Sequence, residues 1–419
     1  MLSIIKFDAI RNFLLILFLL LCANLSFAQK PIKDLKSTVI LISLDGFRAD
    51  YFEKYQPKVL NELARQGVRA KWLIPSFPTK TFPNHYTIAT GLYPAHHGII
   101  ENNIYDFGAV FSISKREEVQ NPRWWFGEPI WATAEKQGQI AASYFFVGSE
   151  TVIGGEIPTF WRTYNGKVPP EMRVDKILSY LDLPKEKRPT MMTLYFSDTD
   201  DAGHEFSPDA EETRYAVQNV DRYIGQLMNG LKARKIDKKV NVIITSDHGM
   251  ATYDVRKVIF LDDYFNTNLA EKILWTNEFV QIFPNQGKTA EIYGKIKNIE
   301  NINCWLKKDI PARFNYSDSP RIAPIVCLTK EGWITSNHKR YEDWLKEIED
   351  ITKPRGAHGY DNQLVSMRAT FVAHGAAFKK GFVAEPFENI QVYNLMCKIL
   401  GLTPAKNDGD FEKIKFVLR

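Results

Sequence analysis

The sequence predicts an α/β fold: a mostly parallel central sheet with helices on both faces, carrying a smaller α+β insertion. Two observations predict the sheet. Residues 38–44, 191–196 and 240–245 are short, nearly uninterrupted apolar runs, the pattern of strands buried on both faces. Stretches with helical spacing separate them, and strands that alternate with helices build parallel sheets covered on both sides. A third observation predicts the insertion. Residues 255–355 break the alternation with Trp275, Trp305 and Trp333, several asparagines and a polar helical stretch near residues 341–349.

The elements follow in chain order. Residues 1–28 carry Lys6 and Arg11, then an unbroken apolar run over residues 13–22, then Ser26-Phe27-Ala28, a small-x-small cleavage signal. A run of about ten apolar residues is too short to span a bilayer, so the segment reads as a removable signal peptide. The mature chain, residues 29–419, is then expected to be exported, to the periplasm or outside the cell, with no remaining membrane span. Loss of two cations and one anion lowers the formal charge from +5 to +4. That balance is too mild to make nucleic acid or an anionic membrane the main partner.

After the first strand, residues 129–137 and 390–400 carry helical spacing. So do Val217, Val220, Ile224, Leu227, Met228 and Leu231, which share one side of a helix ending near residues 230–234. Residues 370–373 add a further strand. Cys304 and Cys327 lie in loop-rich sequence and could form one disulfide in an oxidising compartment. Cys397 sits in an apolar helical pattern and reads as a buried thiol.

Acidic residues stand where three strands end. Asp45 closes the first, Asp247 closes VIITSD, and Asp200 lies just past LYFS. In open α/β sheets, ligands bind outside the carboxyl ends of the strands. A single strand-end Asp can simply cap the next helix, but each of these has histidine company. His204 lies four residues after Asp200, within reach of a single tight turn. His248 follows Asp247, and His358 sits between glycines in GAHGY. Carboxylates with imidazoles suit zinc, and five or six ligands exceed the usual four of one zinc, which suggests two ions. His85, His96 and His97 are expected to orient their loop and helix, and His338 and His374 to be surface or packing residues.

Residues 78–91 place a hydroxyl cluster directly before a helix, with Pro83 in its first turn and Gly91 at its end. Free N–H groups at a helix start favour an anion. On these residues alone the segment is a capped helix, with Thr79 and Thr81 both open as nucleophiles. However, PTKTFPNHYTIATGLYPAHHGII, with LISLDGFRADY, SDTDDAGH, SDHGM and GAHGYDN, resembles the nucleotide pyrophosphatase/phosphodiesterase (type I phosphodiesterase) family of the alkaline phosphatase superfamily. The motifs occur in family order from about residue 38 to residue 380.

The resemblance implies an alkaline phosphatase-like fold and a metal-dependent hydrolase. It puts Thr81 at the nucleophile, bound to the metal that activates it. It gives Asp45, Asp247 and His248 to that ion, and Asp200, His204 and His358 to a second, with two Zn2+ per chain expected and other divalent metals admissible. Asn102 would contact a non-bridging phosphate oxygen. Phe82 and Tyr195 would line the substrate pocket, and Phe160, Trp161 and Tyr164 would form a base-stacking wall. One departure stands out: Asp198-Thr199 replaces the family's frequent Glu-Pro, which puts the local turn and leaving-group pocket in doubt. The implied reaction is hydrolysis of phosphodiester and phosphoanhydride bonds of small nucleotides through a phosphothreonine. The alternatives are a phospholipid or choline-type glycerophosphodiesterase and a non-catalytic binding protein. Sulfatase activity is disfavoured because no Cys or Ser lies in a C/S-x-P-x-R segment.

Overall fold

The computed structural model describes residues 29–419, so the expected signal peptide lies outside the described residues. Seven strands make the central sheet: β1 (Val39–Leu44), β2 (Val68–Ala70), β3 (Ala141–Tyr144), β4 (Met191–Phe196), β5 (Asn241–Thr245), β6 (Phe371–His374) and β7 (Phe382–Ala384), in the order β7-β2-β6-β5-β1-β4-β3. β3, β4, β1 and β5 are parallel. β6 runs antiparallel to both β5 and β2. Its direction has a simple cause. The chain leaves β5 at the carboxyl end and returns to the same end, so the next strand must run back down.

Every residue of β1, β4 and β5 is buried. Successive side chains of a strand face opposite sides, and here they enter two different cores. Val39, Leu41, Met191 and Ile243 join one, with α2 (Thr81–Thr90), α3 (Ile130–Lys136) and α7 (Gln391–Leu400). Ile40, Ile42, Leu194, Val242 and Ile244 join the other, with α1 (Lys58–Gln66), α4 (Pro170–Leu181) and α6 (Glu211–Ala233). The α6 stripe is the expected one but for Met228, which is half-buried at its edge: Val217, Val220, Ile224, Leu227 and Leu231 are buried, each worth roughly 1.5–3 kcal/mol of transfer free energy.

Residues 255–355 hold a four-stranded antiparallel sheet, Ala270–Trp275, Phe279–Pro284, Ile325–Thr329 and Ile302–Leu306 in spatial order, with a helix at Thr289–Ile296. Along Ile325–Thr329, Ile325 and Cys327 face that region's own core while Val326 and Leu328 pack on the main body. Cys304 and Cys327 are directly opposed cross-strand partners, 4.1 Å apart at Cα, and form a disulfide. Cys397 is a buried free thiol. The polar helix spans His338–Leu345, a few residues before its expected position. Two short strands bracket the region and pair antiparallel, Ala251–Tyr253 with Arg355–Ala357. That pairing brings His358 back beside His248. Among the described residues, no helix is long and apolar enough to cross a membrane.

Candidate metal centre and nucleophile

Asp45 and Asp247 emerge at the carboxyl edge of the sheet, one and two residues past β1 and β5. Asp200 and His204 lie on α5 (Asp198–Phe206), which starts two residues after β4. The tight turn expected here is therefore a helix, and the spacing of four puts both side chains on one face. Its Asp198-Thr199 departure is accommodated locally: the Thr199 hydroxyl donates to the Asp45 carbonyl, tying α5 to the end of β1. Gly46 adopts φ +64°, and a Cβ there would stand 3.0 Å from the Asp200 Cα, so a side chain would push the two ends apart.

These residues gather as two groups, Asp45 with Asp247 and His248, and Asp200 with His204 and His358, each with its ligand atoms within 4.8 Å of one another. The groups adjoin, because the His248 and His358 rings stack at 3.6 Å. Each histidine is anchored through Nδ1 against a backbone carbonyl. Those carbonyls belong to Gly249 for His248 (2.8 Å), Gly356 for His204 (2.9 Å) and Thr79 for His358 (2.8 Å). A carbonyl only accepts, so Nδ1 carries the proton and Nε2 is left as a lone-pair donor facing inward.

Three buried carboxylate oxygens in this space, Asp45 Oδ1, Asp200 Oδ1 and Asp247 Oδ2, have no hydrogen-bond partner. Burial, then Asp247 and Asp200, push the Asp45 carboxyl well above its ordinary range. Burial would raise Asp247 too, but His248 and His85 outweigh it and hold Asp247 below. Burial, then His248, His204 and Lys80, depress His358. Orphaned carboxylate oxygens and inward imidazole nitrogens, mutually repulsive without a cation, fit divalent metal ions.

Thr81 is the first residue of α2, and its Oγ1 lies 3.3 Å from His248 Nε2. Thr79 points elsewhere: its hydroxyl donates to the Tyr360 carbonyl and accepts from the Gly359 N–H. Beneath Thr81, the fully buried His85 bridges the Thr81 carbonyl (2.9 Å) and Ser43 Oγ (2.8 Å), with Asp247 3.3 Å away. It orients the helix start. Asn102 Oδ1 accepts the Phe82 N–H at 3.0 Å, so that helix-start N–H is occupied and the Asn102 amide NH2 is left over.

A cavity of about 200 Å³ opens on Thr81, Asp45 and Asp200. Phe82, Tyr164 and Tyr195 line it. The Tyr195 hydroxyl is spent on Asp45 Oδ2 at 2.5 Å, so its ring walls the cavity while its oxygen steadies a carboxylate. Phe160 and Trp161 do not line it, which corrects the expected wall. Phe160 stacks on Tyr180 at 4.8 Å, and both residues border a separate surface cavity with Lys176. In their place stand Phe145, Phe146, Arg116 and Glu150. Arg116 pairs with Glu150, which also accepts the Tyr164 N–H at 2.9 Å. Phe145 directly follows β3. The strand-end rule would have found it had the short, small-residue strand Ala141–Tyr144 been legible.

The type I phosphodiesterase/nucleotide pyrophosphatase family model matches residues 39–361. Venom phosphodiesterase 2 of Crotalus adamanteus is 40% identical over 413 residues, covering 95% of this chain and 49% of that protein. Ectonucleotide pyrophosphatase/phosphodiesterase family member 3 of Rattus norvegicus is 38% identical over 410 residues, covering 95% of this chain and 46% of that protein. The chain thus spans about half the length of the curated relatives it matches. Murine ectonucleotide pyrophosphatase/phosphodiesterase 5, in an inactive threonine-to-alanine form in complex with AMP, superposes with a TM-score of 0.84. It is 31% identical, and the match covers 92% of this chain and 100% of that one. The fold is therefore the α/β architecture of that structure. The chain belongs to the type I phosphodiesterase/nucleotide pyrophosphatase family.

Proposed function

We propose that this chain is an exported two-metal hydrolase that cleaves phosphodiester and phosphoanhydride bonds of nucleotides, using Thr81 as a covalent nucleophile. The observation that carries the reading is Thr81 Oγ1 at the mouth of a cavity, 3.3 Å from a histidine of one ligand group, with the second group alongside. The Asp/His donor set favours zinc. Asp45, Asp247 and His248 would hold one ion and Asp200, His204 and His358 the other. Ions bound there would lower the pKa of a hydroxyl or water and neutralise charge on phosphate oxygens.

The chain's own residues supply the rest. The Thr81 oxygen attacks phosphorus as the ester or anhydride oxygen departs with the bonding pair, leaving a phosphothreonine. Water then breaks the threonine–phosphate bond and regenerates the hydroxyl, so two easier displacements replace one. The Asn102 NH2 is the free donor for a non-bridging oxygen. Phe82, Phe145 and Tyr164 offer aromatic faces to a nucleobase, worth about 1–3 kcal/mol per stacked base by analogy with single-strand binding.

One feature favours diesters over phosphate monoesters. Arg116 is paired with Glu150, and Lys80 is buried against Glu278, so neither stands free to meet the extra charge of a phosphate monoester. Kinetics of purified, metal-loaded protein test the reading. A thymidine monophosphate p-nitrophenyl ester should give a kcat/KM far above that of p-nitrophenyl phosphate, and nucleoside triphosphates should release monophosphates. Thr81→Ala should abolish turnover while keeping fold and metal. Equal efficiency on the monoester would sink the diesterase assignment, strong activity confined to glycerophosphocholine would favour the lipid-type enzyme, and no turnover at all would leave a binding protein.

A further inference from the structure

Behind the nucleophile lies a buried ion pair that the proposed chemistry does not use. Lys80, immediately before Thr81, is 7% exposed, and its side chain points away from the substrate cavity. Its Nζ donates to Glu278 Oε2 at 2.6 Å, to the His358 carbonyl at 2.9 Å and to the Thr276 carbonyl at 3.2 Å. All three N–H donors of the ammonium are therefore spent. The Glu278 side chain is 4% exposed. Both Thr276 and Glu278 flank the turn between two strands of the 255–355 sheet, Ala270–Trp275 and Phe279–Pro284. Asn277 at its tip adopts φ +67°, and its carbonyl accepts the Thr335 N–H and hydroxyl. Glu101, directly before Asn102, is buried nearby within electrostatic reach of Lys80 and accepts the Asn103 N–H. Gly359, at φ +117°, packs its Cα on the Lys80 stem, where a side chain would collide.

We propose that Lys80 and Glu278 form a clasp through which the 255–355 sheet positions His358, and with it the Asp200–His204–His358 ligand group. The physical case rests on where the contacts fall. A buried ammonium is stable only when fully paired, so the Nζ position is fixed by Glu278 and Thr276. That fixed Nζ holds the His358 carbonyl, while the Thr79 carbonyl, one residue before Lys80, holds the His358 ring through Nδ1. Backbone and imidazole of one ligand are thus set by consecutive residues of the nucleophile segment. Such outer contacts to metal ligands are worth about 10–100-fold in metal affinity or activity. Lys80 and Glu278 are positioning residues, since neither reaches the cavity.

The inference rests on the two-metal reading and is tested beside it. Wild type, Glu278→Gln, Lys80→Met and the double variant Lys80→Met/Glu278→Met are titrated with zinc against a competing chelator, and metal content, kcat and KM are measured with melting temperature. The expected result for Glu278→Gln and Lys80→Met is a 10–100-fold weaker second zinc with the first retained. kcat should fall at limiting zinc and recover in excess, with KM within about twofold. The double variant should regain part of the melting temperature lost in Lys80→Met, because Glu278 no longer stands as a lone buried charge and only Glu101 remains without the lysine, but not zinc affinity. Glu278→Gln keeps every packing atom and carries the test alone if Lys80→Met fails to fold. Two zinc ions bound as in wild type, with only the melting temperature lowered, would reduce the clasp to plain structure. A wild type that binds fewer than two ions would overturn the two-metal reading, and the clasp with it.

Discussion

Asn102 is one side chain with two ends, and its environment fixes which end does what. The Phe82 N–H can only donate, so the amide oxygen must face it and the NH2 must face away. Asn102→Asp should then keep the acceptor and lose the donor, while placing a negative charge beside phosphate. We expect kcat to fall about 10²–10³-fold with metal content and folding unchanged, as for loss of a single oxyanion donor. Activity within threefold of wild type would remove Asn102 from charge stabilisation. At this scale the sequence indicated residue types well: Asp and His at strand ends are chemically conspicuous. What it could not indicate were their carbonyl partners. His204 meets Gly356 across 152 positions and His358 meets Thr79 across 279, distances at which one sequence carries no pairing signal.

The helix that begins at Thr81 depends on a histidine outside both ligand groups. His97 closes the short helix after α2 and is fully buried. Its Nδ1 accepts the Ile99 N–H, and its Nε2 serves the Pro83 carbonyl and Thr87 hydroxyl, so the ring is neutral with its proton on Nε2. Burial pushes its pKa from 6.5 down to about 3. Because the folded value lies below the unfolded one, the unfolded chain binds the extra proton first. The stability contribution is thus complete above about pH 6.5 and is lost as pH falls toward 3, on the order of 3–5 kcal/mol in all. Urea unfolding from pH 7 to 4 should show a shallower loss in His97→Gln than in wild type. Protonation of the metal-site histidines is common to both and cancels, so identical slopes would refute the assignment. The sequence also misjudged two elements here. α5 read as a turn because its polar, Gly-containing run DTDDAGH lacks an apolar stripe, and its helical form is set by docking. Phe160 and Trp161 are expected in a wall because the family resemblance places them there, but a resemblance in a loop does not reveal facing, and stacking on Tyr180 turns Phe160 away.

Across the whole molecule, the site joins segments that are far apart in the chain, held by a sheet edge and by the returning 255–355 region. Its three unpartnered, buried carboxylate oxygens repel one another without cations. Each ion that binds the folded chain alone stabilises it by about 4 kcal/mol at a thousandfold excess over Kd. Chelation of two should therefore lower the melting temperature by about 10 °C in a protein of this size, and zinc should restore it. A melting temperature indifferent to chelator would show that these carboxylates are stabilised without metal.

The sequence by itself determined the strands β1, β4 and β5, the α6 stripe, the strand-end acids and the helix headed by Thr81. Each is written in local periodicity or in residue type next to a strand end. Only the tertiary structure decided the rest. It turned β6 antiparallel and opposed Cys304 to Cys327. It also set what the Thr81 and Thr79 hydroxyls each touch, and lined the cavity with Phe145, Arg116 and Glu150. These outcomes depend on contacts between distant segments, and those are selected by the packing of whole faces, which no single stretch of sequence encodes.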